Sequence, residues 1–139
     1  MPVNSKRILF GTLVGGVVWN AWSMVVNGVL LASRYEKATA AGSFQATPRL
    51  PFMPLWIVTL FAVSWVIASL YAAVRVSWGP GPVTALKLGV MTGFAIGLPG
   101  NLGMAAWGTF GRIFPLCWAL DLGIGSVFAA LIAGWLYRD

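Results

Sequence analysis

From Leu55 to Val74 the chain reads LWIVTLFAVSWVIASLYAAV without one charged residue. As a helix rising about 1.5 Å per residue, that run covers roughly 30 Å, the thickness of a bilayer's hydrocarbon core. The run belongs to a span at about 55–76, and three others share its character, at about 8–31, 83–106 and 113–137. Backbone polar groups in hydrocarbon must be satisfied within the segment, so runs of this kind are helical. The expected fold is an all-α membrane protein: one domain over 1–139, a four-transmembrane-helix bundle in antiparallel up-down order. Its longest loop lies at 32–54.

Composition closes off the soluble alternatives. The chain is 59% hydrophobic and 9% charged, where a soluble domain carries about 25% charged residues. The opening NSKRILFGTLVGG could begin a secretory signal, but its apolar run exceeds the roughly 7–15 residues of such a region, so it reads as the first span. Nine Lys and Arg against three acids give a net charge of +6. The cations fall near span ends, at Lys6, Arg7, Arg34, Lys37, Arg49, Arg75, Lys87, Arg112 and Arg138. That placement suits membrane lipids as partners and offers no basic stripe for nucleic acid. With the N-terminus inside, Lys6, Arg7, Arg75, Lys87 and Arg138 face the cytoplasm and Arg34, Lys37, Arg49 and Arg112 the other side. The excess of one favours N-in and C-in, and near balance leaves dual insertion open.

Histidine is absent and Cys117 is the single cysteine, so His-ligated haem or metal, an intrachain disulfide and CxxC redox chemistry are not expected. Nor is there a nucleophile–base pair or phosphate loop, and the chain is not expected to be an enzyme. A bound lipid, quinone or pigment stays open.

The aromatic residues form two belts, Tyr35, Trp56 and Trp107 at one interface and Trp78, Trp135 and Tyr137 at the other. Trp19, Trp22 and Trp65 lie deeper, as packing residues. Pro48, Pro51 and Pro54 favour an extended approach to the second span, SWGPGPV makes a tight turn, and Pro115 suits the first turn of the fourth. In GLPGNLG, Pro99 is expected to interrupt the third span.

One acid lies inside a span: Asp121, within PLCWALDLGIG. It opens a four-residue row, Asp121, Gly125, Ala129, Ala133, and the third span carries Gly89, Gly93, Gly97 and Asn101 at the same spacing. Folding the two antiparallel about Gly111 matches Asn101 with Asp121, Gly97 with Gly125, Gly93 with Ala129 and Gly89 with Ala133, a small-residue packing seam. An Asn amide suits a buried carboxyl in either protonation state. The first span adds a polar face at Gly16, Asn20, Ser23 and Asn27, and Gly11 and Gly15 form a step whose relation to that face is open. The expected polar intramembrane cluster is Asp121, Asn101 and Asn27, with Asn20 below it and Arg112, Arg34 or Arg49 as counter-charge. Two uses compete: interhelical glue, which is favoured, and a protonatable or ligand site on a transport path.

The stretches RILFGTLVGGVV, GPGPVTALKLGVMTG and GWLYR resemble a broad group of uncharacterised small bacterial four-helix integral membrane proteins. The resemblance implies fold and a multi-pass place in the bacterial inner (cytoplasmic) membrane, and it carries no functional residues across. The size is also similar to that of small multidrug transporters and fluoride channels. The first span lacks the embedded glutamate of the former, and no fluoride-channel motif is present. The expected function is a non-catalytic accessory or scaffold subunit, packing through small-residue faces with other membrane-protein subunits or with its own copies. The alternative is a small-solute or ion transporter or channel built around Asp121 and Asn101.

Overall fold

The computed structural model describes residues 3–137, which leaves Arg138, counted above among the cations, outside the described residues. Helix α1 spans Ser5–Val25 and runs on through a wider π-helical turn, Val26–Leu30; α2 spans Ala32–Ala40, α3 Phe52–Trp78, α4 Pro82–Trp107 and α5 Ile113–Leu136. Four of these helices are long and apolar enough to cross a membrane. The chain is thus an all-α four-helix bundle and a multi-pass membrane protein. Large apolar side chains point outward all round it, among them Phe94, Val58 and Leu102, as hydrocarbon solvent allows.

Local chemistry sets the helix ends. Asn4 caps α1, its side-chain oxygen accepting from the Arg7 N–H at 3.2 Å. Gly42, at φ +81°, stops α2 where the chain must turn left-handed. Pro51 stands at the cap of α3 and Pro82 in the first turn of α4, where a missing N–H costs nothing. The last carbonyls of α5 are met from two other helices: Arg7 donates to the Leu136 oxygen at 3.3 Å and Arg75 to the Tyr137 oxygen at 3.1 Å. These cations complement the negative end of the helix.

Two sequence expectations change here. The 32–54 segment is not all loop, since α2 forms within it. Pro99 sits inside α4, and the helix continues through it to Trp107 without a break. A proline removes a single helical hydrogen bond, and the flanking turns hold the helix on both sides.

Helices α1, α3 and α5 enclose the core around Trp19, Leu60, Ile67, Tyr71 and Ala130, while α4 lies mainly against α5. The glycine rows predicted for α4 are at a helix interface, but in another register. A Cβ on Gly89 would sit 2.7 Å from the Val127 backbone, one on Gly93 2.8 Å from the Gly123 carbonyl and one on Gly97 3.1 Å from the Ala119 carbonyl. The row Asp121, Gly125, Ala129, Ala133 faces α1 instead. Gly11 meets Ala133, Gly15 meets Ala129, Trp19 covers Gly125 and Ser23 bonds Asp121, each step along α1 matched by an equal step back along α5. The physical reason is volume: the Trp19 indole fills the place a Cβ on Gly125 would need, so this face of α5 is claimed by a bulky α1 residue before α4 can use it.

The belts change as well. Trp107, Trp78 and Trp135 are exposed, while Tyr137 is buried and Tyr35 and Trp56 are half-buried. Trp65, expected among packing residues, is 56% exposed and faces the surroundings.

The register is open to disulfide trapping. A Cβ on Gly11 would lie 3.5 Å from the Ala133 Cβ, and one on Gly15 3.5 Å from that of Ala129, at the short edge of the disulfide range. With Cys117 replaced by Ser, the double variants Gly11→Cys/Ala133→Cys and Gly15→Cys/Ala129→Cys should crosslink under mild oxidation. Gly97→Cys/Gly125→Cys should not. The reverse pattern on a gel would reject this packing.

Candidate functional site

Asp121 is 1% exposed at the contact of α1 and α5. Its Oδ2 accepts from the Ser23 hydroxyl at 2.7 Å and from the Asn27 amide at 3.0 Å. Both donors come from α1, one helical turn apart, which is why the four-residue row delivers them together. The π-helical turn begins at Val26 and includes Asn27, a widening often found where a helix carries a specialised side chain. The acid's partners are thus Ser23 and Asn27, in place of Arg34, Arg49 or Arg112.

Each donor is itself held from behind. The Trp56 indole N–H of α3 donates to the Ser23 hydroxyl at 2.9 Å. The Tyr35 hydroxyl of α2 donates to the Asn27 side-chain oxygen at 2.8 Å, and the Trp118 indole N–H of α5 donates to the Tyr35 hydroxyl at 2.7 Å. Two arms converge on one carboxylate oxygen, and each begins at an indole, a group that can only donate. That fixes the direction of the first bond in each arm and leaves each hydroxyl its own proton to donate onward. Ser23 spends its one proton on Asp121, and Tyr35 spends its own on Asn27, whose amide nitrogen is then turned to the acid. The network presents two donors to one oxygen of Asp121, an arrangement that a carboxylate and a carboxyl protonated on its other oxygen both satisfy. It makes a poor proton wire, since indole and amide groups do not hand protons along.

Above the network lies an aromatic cap. Tyr35 packs on Phe114 with ring centroids 5.0 Å apart, Phe44 stacks on Phe110 at 5.2 Å, and Phe114 meets Trp118 at 5.8 Å. Burial under this cap raises the Tyr35 pKa from its ordinary 10.0, with the Trp118 hydrogen bond acting in the opposite sense and Asp121 adding to the rise. Below, the other oxygen of Asp121 and the Trp19 indole nitrogen are both buried and short of good hydrogen-bond geometry, while the indole N–H stands close enough to act on the carboxyl. Among the described residues no three His, Cys, Asp or Glu side chains gather in one place.

Of the four polar residues singled out in the sequence, the structure joins Asp121 and Asn27. Asn101 donates to the Gly97 carbonyl of its own helix at 2.7 Å, and Asn20 to the Gly16 carbonyl at 2.8 Å. Asn101 also lines the α4–α5 groove with Pro115, Leu116 and Ala119, while Asp121 looks to α1. Ser23, Trp56, Tyr35 and Trp118 complete the site. Ser23 was visible on the polar face of α1, four residues before Asn27, but Tyr35 and Trp56 carried only the signature of interfacial residues, and nothing in the sequence singled out Trp118.

Stability of substituted forms measures the network. Asp121→Asn retains an acceptor oxygen for Ser23 and Asn27 and should unfold near the wild-type temperature in mild detergent. Asp121→Leu strands both donors, at about 1–3 kcal/mol for each, and should melt well below it. Equal melting of the two variants would show that the network does not hold the helices. Alkaline pH probes the outer arm. A raised folded pKa means that stability is complete below 10.0, the ordinary Tyr value, and is lost as pH climbs through the folded value. The stability gap between wild type and Tyr35→Phe should therefore narrow above about pH 10. A gap constant through tyrosine ionisation, followed by tyrosinate absorbance, would contradict the assignment.

Comparison with protein-family models, with curated proteins and with solved structures finds no match to this chain.

Proposed function

We propose that the chain is a non-catalytic accessory or scaffold subunit of a membrane assembly, and that Asp121 serves to lock α1 to α5. The observation that carries this reading is the closure of the site. The carboxylate is 1% exposed and engaged by two donors from one helix, and neither apolar groove between α4 and α5 reaches it. A transport site needs a route for its solute, whereas a lock works best shut. The exposed apolar helix faces offer area to other subunits or to further copies of the chain. The likeness to small bacterial four-helix proteins supports a place in the cytoplasmic membrane, and the distribution of Lys and Arg supports both termini inside.

One observation favours the transporter reading: the second oxygen of Asp121 is buried without a hydrogen bond of good geometry, with the Trp19 indole N–H beside the carboxyl, and a buried acid with spare capacity is a place for a cation or proton.

Purification of the tagged chain from its own membrane in mild detergent distinguishes the two. A stoichiometric larger complex that survives Asp121→Asn is the expected result. An isolated monomer or dimer, stabilised by a particular solute in wild type and not in a well-folded Asp121→Asn, would overturn the scaffold reading.

A further inference from the structure

On the side of α5 away from Asp121, α4 and α5 leave a continuous apolar groove. It runs from Arg112 at one end to Val127 at the other, its two halves sharing Leu98, Leu116 and Ala119. Along α5 that distance is about 22 Å at 1.5 Å per residue. One leaflet contributes roughly 15 Å of a hydrocarbon core about 30 Å thick. The groove therefore starts at the membrane surface and follows a helix for the depth of a leaflet and somewhat more.

Its mouth is electropositive. Arg112 is exposed and stands at the cap of α5 without a side-chain capping bond, and no acid lies in the first turn. Phe114 and Pro115 of the first turn are buried, so Arg112 is the group that a ligand at the mouth can reach. The guanidinium thus stands where an apolar channel opens, at the positive end of a long helix.

The floor is bare at one position. Gly123 lines the groove, and a Cβ built there meets nothing within 4 Å. Glycine in a helix interior is less favourable than alanine by about 1 kcal/mol, and no atom of the chain excludes the methyl group. A side chain at position 123 would therefore stand in the groove without displacing any atom of the chain.

We propose that this groove seats one acyl chain of an anionic phospholipid, with its phosphate held by Arg112. Charge complementarity at the mouth and hydrocarbon along the length select this occupant together: a free phosphate would use only the first, and a second apolar helix only the second. The site uses no residue of the Asp121 network, so its failure would leave the lock standing.

Native mass spectrometry of the full chain in mild detergent tests it, with phosphatidylglycerol or phosphatidylcholine of matched acyl chains added. Wild type should retain one phosphatidylglycerol, with a preference over phosphatidylcholine of about fivefold, the effect of one Arg near an anionic surface. Arg112→Gln should erase that preference. Gly123→Leu should reduce retention of both lipids while the helical circular-dichroism melt stays in place. Should Gly123→Leu fail to fold, Leu116→Trp, at a residue that is 57% exposed along the groove, blocks the same path. Equal retention of both lipids by wild type would overturn the proposal, as would retention untouched by the blocking variants. Displacement of the lipid by inorganic phosphate alone would show a phosphate site without an acyl seat. Loss of a dimer peak in Gly123→Leu would show that the groove holds a second copy.

Discussion

Burial of a carboxylate in hydrocarbon is the constraint around which the helices of this bundle are arranged. An ion of that size is unfavourable by several kcal/mol in such surroundings unless donors replace its water. Asp121 finds those donors at Ser23 and Asn27. Each depends on a further group from a different part of the chain, Trp56 of α3 for one, Tyr35 of α2 and Trp118 of α5 for the other. One acid therefore ties α1, α2, α3 and α5 into a single arrangement. Because both arms start at donor-only indoles, sliding a helix by one turn would break the sequence of donors and acceptors, whereas apolar packing alone would tolerate the slip.

The polar anchor also requires close backbones, and glycine supplies them. Gly11 and Gly15 let α1 approach Ala133 and Ala129 of α5, and Gly125 makes room for Trp19. Between membrane helices there is little hydrophobic driving force, so contact and hydrogen bonding must fix the geometry. Here the two act in one register: the small-residue steps determine how close the helices come, and Ser23 with Asp121 determines where along their length.

The fold was legible in the sequence because hydrocarbon sets a length. Four long apolar runs, charged only near their ends apart from Asp121, gave four spans whose ends agree with the structure to within a few residues. The site was legible only in part. Asp121 stood out as the acid within a span, and Asn27 shared a polar face with Ser23. The partner helix was misjudged because α5 carries small residues on two faces: Gly125, Ala129 and Ala133 toward α1, and Ala119 and Gly123 toward α4. A four-residue repeat fits either neighbour. What decides is the side chain that must be accommodated, the indole of Trp19 over Gly125, and such shape matching is not written in spacing. The helix at Ala32–Ala40 was hidden for a related reason. It is short and polar on most of its surface, and Tyr35 and Ala38 pack against the Val26, Leu31 and Phe114 cluster, so it is held by tertiary contact more than by its own pattern.

Helix α4 stands outside this polar arrangement. Its Asn101 is satisfied by its own backbone at Gly97, and it approaches α5 through Gly89, Gly93 and Gly97. Its polar ties are at its start and go to α3, where Thr84 donates to the Trp78 carbonyl at 3.3 Å and the Gly81 N–H to the Tyr71 hydroxyl at 3.0 Å; toward α5 it is held by backbone proximity over glycine. The bundle thus has a side specified by hydrogen-bond direction and a side specified by fit alone. Under the scaffold reading proposed above, that division separates two tasks: the hydrogen-bonded contact of α1 with α5 holds the shape of the bundle, and the α4–α5 face is left to meet its apolar surroundings.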